Sequence, residues 1–164
     1  SGKRVNLVKP NPDDIGYEDI AYSLAMKCRF NGHSNQFYSI AEHSVRVSQI
    51  VEKRLAFPAL MHDANEAYLP DVSRPVKAIL ESWREIEDRI QQAIENKFLI
   101  TLSVEDRRKI KQADDILLAT EGRDLMEDIE GWGLKEKPLE TRIQPSSWGK
   151  AYGDFLECFW KYKK

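Results

Sequence analysis

Three short stretches confine what this chain can fold into: Glu42-His43-Ser44, Met61-His62-Asp63-Ala64-Asn65-Glu66 and Ala113-Asp114. Between them they supply two imidazoles and two carboxylates, a complete set of protein ligands for a divalent transition metal. His62 and Asp63 are neighbours, so both reach one ion only if further ligands arrive from other segments. His43 lies within the apolar stripe Ile40, Val47, Ile50 and Val51, and Asp114 within the stripe Ile110, Leu117, Leu118 and Leu125. Both stripes have helical spacing. The pattern predicts an all-α fold in which helices cross at a metal buried in the core.

The remaining helix signals agree. Residues about 17 to 28 place Ile20, Ala21, Leu24, Ala25 and Cys28 on one face. Ser39-Ile40-Ala41-Glu42 reads as a capping box, in which Ser39 and Glu42 each satisfy a free backbone N–H. Pro58 suits the first turn of a helix that carries Leu60, His62, Asp63, Glu66 and Ala67 until Pro70 stops it. After a loop at 71–75, Leu80, Trp83, Ile86, Ile90, Ala93, Ile94 and Phe98 draw one long amphipathic helix from about Val76 to Phe98. Ser103 caps another that reaches about Met126. Gly131, Gly133, Pro138 and Pro145 mark 127–146 as a long loop, and a last helix carries Trp148, Ala151, Tyr152, Phe155, Leu156 and Phe159. With 164 residues, 41% of them apolar, a single core suffices. The expectation is one domain, 1–164, with its motif-bearing core at about 17–126 and a C-terminal loop and helix at 127–164.

The charge balance limits the partners. Against 27 acidic residues stand 25 basic ones, a net charge of −2, which gives no cationic field for a nucleic acid polymer or an anionic membrane. Any anionic ligand must be held by local basic residues. Two cysteines, Cys28 and Cys158, lack the density of a disulfide scaffold or the spacing of a zinc finger, which points to a reduced cytoplasmic setting. No segment approaches the roughly 20 apolar residues that span a bilayer.

Each candidate ligand also has an ordinary reading. A lone histidine on an apolar stripe is more often a hydrogen-bonded core residue than a ligand. Asp114 is harder to explain that way, because a carboxylate in a core stripe loses its hydration unless it is paired or metal-bound. A shared metal accounts for all four residues at once; an internal network of His-Asp and Arg-Asp hydrogen bonds is the alternative.

The order His43, His62-Asp63, Asp114 resembles the H…HD…D signature of the HD-domain metal-dependent phosphohydrolases. Longer blocks sharpen the likeness: Arg29-Phe30-Asn31-Gly32-His33, Phe37 to Ser44, His62 to Leu69, Asp71 to Lys77 and Ala113 to Glu121. These blocks resemble the small bacterial and phage nucleotide phosphohydrolases, which include YfbR-type 5'-deoxynucleotidases and DatZ-type dATP triphosphohydrolases. The resemblance covers residues 5 to 126. It implies a single HD-domain helical bundle with His43, His62, Asp63 and Asp114 as the metal ligands. A mixed imidazole and carboxylate shell suits Zn, Co, Mn or Fe(II) better than Ca, and Mg at a second, phosphate-associated site is a further option.

The same resemblance implies that Glu66 orients or activates the attacking water and that Asp71 acts as acid/base. Their ordinary readings are a solvated helix carboxylate and a helix N-cap. Arg29 resembles the arginine set against the nucleotide phosphate; Lys77, Arg74 and His33 could add phosphate contacts, and Phe30 and Pro75 could wall the base. Pro70 stands where the family usually has Gly, and Ser73 where a Pro is common, so the loop carrying Asp71 departs from the pattern.

The sequence therefore favours a metal-dependent deoxynucleotide hydrolase, with cleavage of dATP to deoxyadenosine and triphosphate first and a 5'-deoxynucleotidase second. A non-catalytic nucleotide sensor is the reading from another class, which Glu66 and Asp71 speak against. Family resemblance also implies a homo-oligomer, from dimer to hexamer, in the cytoplasm of a bacterial cell or a phage-infected host.

Overall fold

The computed structural model describes the backbone of residues 1–70, 72 and 74–163, and the side chains of these except 74, 75, 78 and 81. The fold is all-α. The helices are α1 Tyr17–Met26, α2 Ile40–Ile50, α3 Ala56–Leu60, α4 Arg74–Ile79, α5 Glu81–Phe98, α6 Val104–Leu125 and α7 Trp148–Tyr162. Single turns of 3₁₀ helix lie at Pro12–Asp14, Arg29–Gly32, Lys53–Leu55 and Ala64–Ala67. Among the described residues no strand forms, and extended pairing is confined to an isolated bridge between Cys28 and Ser39.

α2 is the centre of the molecule, packed by α1, α3, α6 and α7. Its start is fixed by Ser39, whose Oγ accepts the Glu42 N–H at 3.1 Å. Nearly every side of this helix is covered, from Ile40 to Val45 and again at Val47 and Ser48. On one side Ile40, Ala41 and Val45 join Leu24 of α1, Leu60 of α3, Ile90 and Ile94 of α5, and Phe155 and Phe159 of α7. On the other, Val47 joins Ala59 of α3 and Ile110, Ala113, Leu117 and Leu125 of α6. His43 thus sits on the helix that both clusters share, which is why a polar side chain there is completely removed from solvent.

Four expectations need correction. The helix expected through Pro58 to Ala67 is interrupted. α3 ends at Leu60, the Met61 and His62 N–H groups reach back to Pro58 and Ala59, and a 3₁₀ turn follows from Ala64. The long helix expected from Val76 to Phe98 breaks at Leu80 (φ −106°, ψ 80°), which is exposed and whose carbonyl accepts the Trp83 N–H. The capping box at Ser39 is only half made, because the Glu42 carboxylate turns away to Arg46 and Ser146. Cys28 falls outside α1, which ends at Met26.

The segment between α6 and α7 is irregular, as its glycines and prolines predict, yet it is tied down. Leu139 N–H donates to Thr120 Oγ1 (2.9 Å), Ile143 N–H to Asp124 Oδ2 (2.8 Å) and Ser146 N–H to Glu42 Oε2 (2.9 Å). Ile129 and Leu134 pack over Gly122, where a Cβ would come within 3.1 Å of Ile129. No helix among the described residues is long and apolar enough to cross a membrane.

Candidate metal centre

The interrupted path after α3 brings two successive side chains to one point. In a regular helix His62 and Asp63 would diverge by about 100°. Here the tight turn lets the His62 Nδ1–H donate to the Ala59 carbonyl at 2.8 Å, turning Nε2 inward, where Asp63 Oδ2 lies 3.2 Å away. From α2, His43 Nε2 arrives 3.4 Å from His62 Nε2 and 3.4 Å from Asp63 Oδ2. From α6, Asp114 Oδ1 lies 3.3 Å from His43 Nε2. Its other oxygen accepts from Lys111 at 3.1 Å.

Each imidazole is fixed from behind. Glu121, fully buried on α6, stands 2.6 Å from His43 Nδ1. Burial alone would raise the Glu121 pKa, but Arg29 and His43 hold it below the usual carboxylate range, so it is ionised and can only accept. His43 Nδ1 therefore donates, as His62 Nδ1 does to a carbonyl. In both rings the remaining nitrogen, Nε2, carries a lone pair when the ring is neutral. Two such lone pairs and the Asp63 Oδ2 then face one another, with Asp114 Oδ1 against His43 alone, an arrangement that is repulsive until a positive charge enters it.

The titration behaviour of the cluster follows from this. Burial is the largest influence on His43 and Arg29 adds to it, both disfavouring the charged ring. The carboxylates of Glu121, Asp114 and Asp63 overcome them and push its pKa well above the ordinary histidine value. Asp63 and Asp114 move the opposite way: burial opposes ionisation, yet the two histidines hold both carboxyls well below their ordinary range. The site draws in a proton for the reason it would draw in a cation. His43, His62 and Asp63 form a cluster that can hold a metal ion, their donor atoms all lying within 4.8 Å of one another.

The other residues singled out from the sequence are distributed around this cluster. Glu66 is buried on the 3₁₀ turn that follows, its N–H donating to the Asp63 carbonyl at 3.0 Å. Arg29 places Nη2 2.9 Å from Glu121 Oε2 and Nη1 3.8 Å from Asp63 Oδ2. The expected phosphate contact is thus a residue already engaged with the carboxylate behind His43. Lys77 pairs with Glu87 at 2.7 Å; burial disfavours its charge, but Glu87, with Glu66 and Asp63 behind it, outweighs that and raises its pKa. Phe30 is half-buried under the Arg29 guanidinium, 5.1 Å from its ring centre, and meets Trp132 at 5.7 Å. His33 is exposed and lies outside the cluster. Asp71 and the side chains of Arg74 and Pro75 lie outside the described residues.

Glu121 and Trp132 were not among the candidate site residues. Glu121 had a legible signal, since it falls seven residues after Asp114, two turns on and in the same buried stripe. Trp132 had none, because its partner Phe30 is a hundred residues distant in an irregular segment. Phe30 and Asn31 themselves take left-handed backbone angles (φ 55° and 51°), which cost a side-chain-bearing residue roughly 1–2 kcal/mol. Strain of that kind persists where surrounding contacts over-determine it. Here Arg29 N–H to Tyr38 O (2.8 Å) and Ile40 N–H to Lys27 O (3.1 Å) close the loop's base.

The fold and this site define an all-α protein with a histidine–aspartate cluster, in its core, able to hold a metal ion. No protein-family model matches the chain. It is 42% identical over 163 residues to the uncharacterized protein YfdR of Escherichia coli K12, covering 97% of this chain and 90% of that one. It is also 38% identical over 128 residues to the uncharacterized protein RCAP_rcc00048 of Rhodobacter capsulatus, covering 71% of this chain and 65% of the relative. The chain belongs to the family of YfdR.

Proposed function

We propose that the chain is a metal-dependent phosphohydrolase of the HD type acting on deoxynucleotides. One observation carries the reading: with their other nitrogens committed, His43 Nε2 lies 3.4 Å from Asp63 Oδ2 and 3.3 Å from Asp114 Oδ1, and His62 Nε2 lies 3.2 Å from Asp63 Oδ2. In the neutral rings these atoms are all acceptors, and either a proton on His43 or a shared cation relieves them; a cation also engages the Nε2 of His62. Imidazole and carboxylate donors together suit Zn, Co or Mn. When bound, such a metal supplies positive charge that polarises a phosphoryl oxygen and acidifies water.

The chain's own residues take the remaining tasks. Arg29 presents N–H groups beside the cluster: its Nε is buried without a hydrogen-bond partner among the described residues, and Nη1 is too far from Asp63 for a hydrogen bond. Both can donate to a phosphate oxygen. Glu66, next to the cluster, is suited to orienting water, and Asp71 to handling the proton of the leaving group. Within the class, a 5'-deoxynucleotidase acting on monophosphates is the better supported reaction. Arg29 and Lys77 already hold carboxylate partners, which leaves less positive charge for a triphosphate than the sequence suggested.

Incubating the metal-loaded protein separately with each deoxynucleoside monophosphate and triphosphate, with an EDTA control, tests the proposal. Orthophosphate released from monophosphates and abolished by EDTA is the expected result. Triphosphate released from dATP would transfer the assignment to the triphosphohydrolase, and no turnover with Zn, Co or Mn would defeat the enzyme reading.

A further inference from the structure

The Glu121 carboxylate divides its two oxygens between two functional groups. Oε1 accepts from His43 Nδ1 at 2.6 Å and Oε2 accepts from Arg29 Nη2 at 2.9 Å. Its side chain is completely buried, as is that of His43, and the Arg29 side chain is 13% exposed, so both bonds are largely shielded from solvent. The carboxylate is a rigid planar fork, and α6 holds it two turns beyond Asp114, itself beside the cluster. A change in the position or charge of His43 is therefore felt by the group that holds Arg29.

We infer that Glu121 is a positioning residue that serves the metal centre and Arg29 together, so that loading of the metal and engagement of an anion by Arg29 are coupled. The inference rests on the metal-binding reading proposed above. Its physical basis is that a buried carboxylate on the far nitrogen of a ligating histidine fixes the tautomer and strengthens the ring as a donor. The same carboxylate limits the rotation of the guanidinium, and reciprocal linkage requires each site to report on the other. Lys111 on Asp114 and the Ala59 carbonyl on His62 each hold one ligand, whereas Glu121 holds a ligand and the anion-facing arginine at once.

The test is titration of the metal-free protein with Zn²⁺ and with Co²⁺, followed by calorimetry and by the visible absorption of bound Co²⁺. Inorganic phosphate is then added to the loaded protein. Glu121→Gln should weaken metal binding by about 10–100-fold, change the Co²⁺ spectrum, and lessen the effect of phosphate on metal affinity. If that variant does not fold, Glu121→Gln combined with Arg29→Gln removes both buried charges, and the same loss of metal affinity is expected. Metal affinity and Co²⁺ spectrum equal to those of the unsubstituted protein in the folded variant would overturn the inference while leaving the metal centre intact. Failure of the unsubstituted protein to take up either metal would overturn both.

Discussion

Asp63 is set against two imidazoles and a guanidinium with a quarter of its side chain exposed. Its removal should separate metal binding from folding. Asp63→Ala takes away one donor of the cluster but leaves Arg29 paired with Glu121 and both histidines tethered through Nδ1, so the protein should still fold. Metal affinity should fall by at least the roughly 10–100-fold that outer partners of a ligand are worth, measured by calorimetry against the unsubstituted chain. Unchanged uptake would remove Asp63 from the site. At this scale much was legible: His43, His62 and Asp63 announce themselves because imidazole and carboxylate are out of place beside Ile40, Leu60 and Met61. The pairing of Arg29 with Glu121 was not legible, since nothing in its neighbours' identities points to a residue 92 positions away.

At the level of elements, caps were read correctly where the cap is purely local. Ser103 Oγ accepts the Asp106 N–H at 3.1 Å, and Asp106 Oδ2 accepts the Ser103 N–H at 3.2 Å, the full reciprocal box. Asp106 also binds Arg54 at 2.6 Å, which ties the start of α6 to the turn before α3. Ser103→Ala should cost about 1 kcal/mol of stability, visible in urea unfolding, without altering the metal site some two to three turns away. A larger loss accompanied by weaker metal binding would show that α6 is positioned from its N-terminus. The same local rule held for Ser39, which caps α2, and misjudged Glu42, whose carboxylate had a stronger offer from Arg46 and from Ser146, 104 residues on. The breaks after Leu60 and at Leu80 were likewise unreadable, because apolar spacing runs through them without interruption. After Leu60 the bend goes with a tertiary demand: two adjacent residues, His62 and Asp63, both face inward, and no straight helix permits that.

For the molecule as a whole, α7 and the strap before it close the structure over α2. Phe159 is fully buried, stacked on Tyr17 at 4.8 Å and edge-on to Phe57 and Phe98 at 5.4 and 5.5 Å, so it joins four segments. Phe159→Ala should cost about 3–5 kcal/mol, lowering the thermal midpoint far more than any surface change on α7. The strap is held by charge instead. Asp124, only 2% exposed, binds Arg123 at 2.7 Å and Arg142 at 2.9 Å and accepts the Ile143 N–H, fastening α6 to the extended chain that ends at Ser146 and Glu42. The Arg123 contact is the largest influence on the Asp124 carboxyl and, with the others, brings its pKa from 3.8 to about 2. A carboxylate whose folded pKa is depressed stabilises the fold fully above its unfolded value and loses that contribution as pH falls through the folded one. Asp124 should therefore contribute in full above about pH 4 and nothing below about pH 2. Asp124→Asn keeps the volume and leaves two arginines that are both solvent-accessible, so the variant should fold. Its deficit in unfolding free energy should be constant from pH 7 to about 5, narrow below pH 4 and close towards pH 2. A deficit that stayed constant across that range would mean that the strap is held by the shape of the Asp124 side chain rather than by its charge.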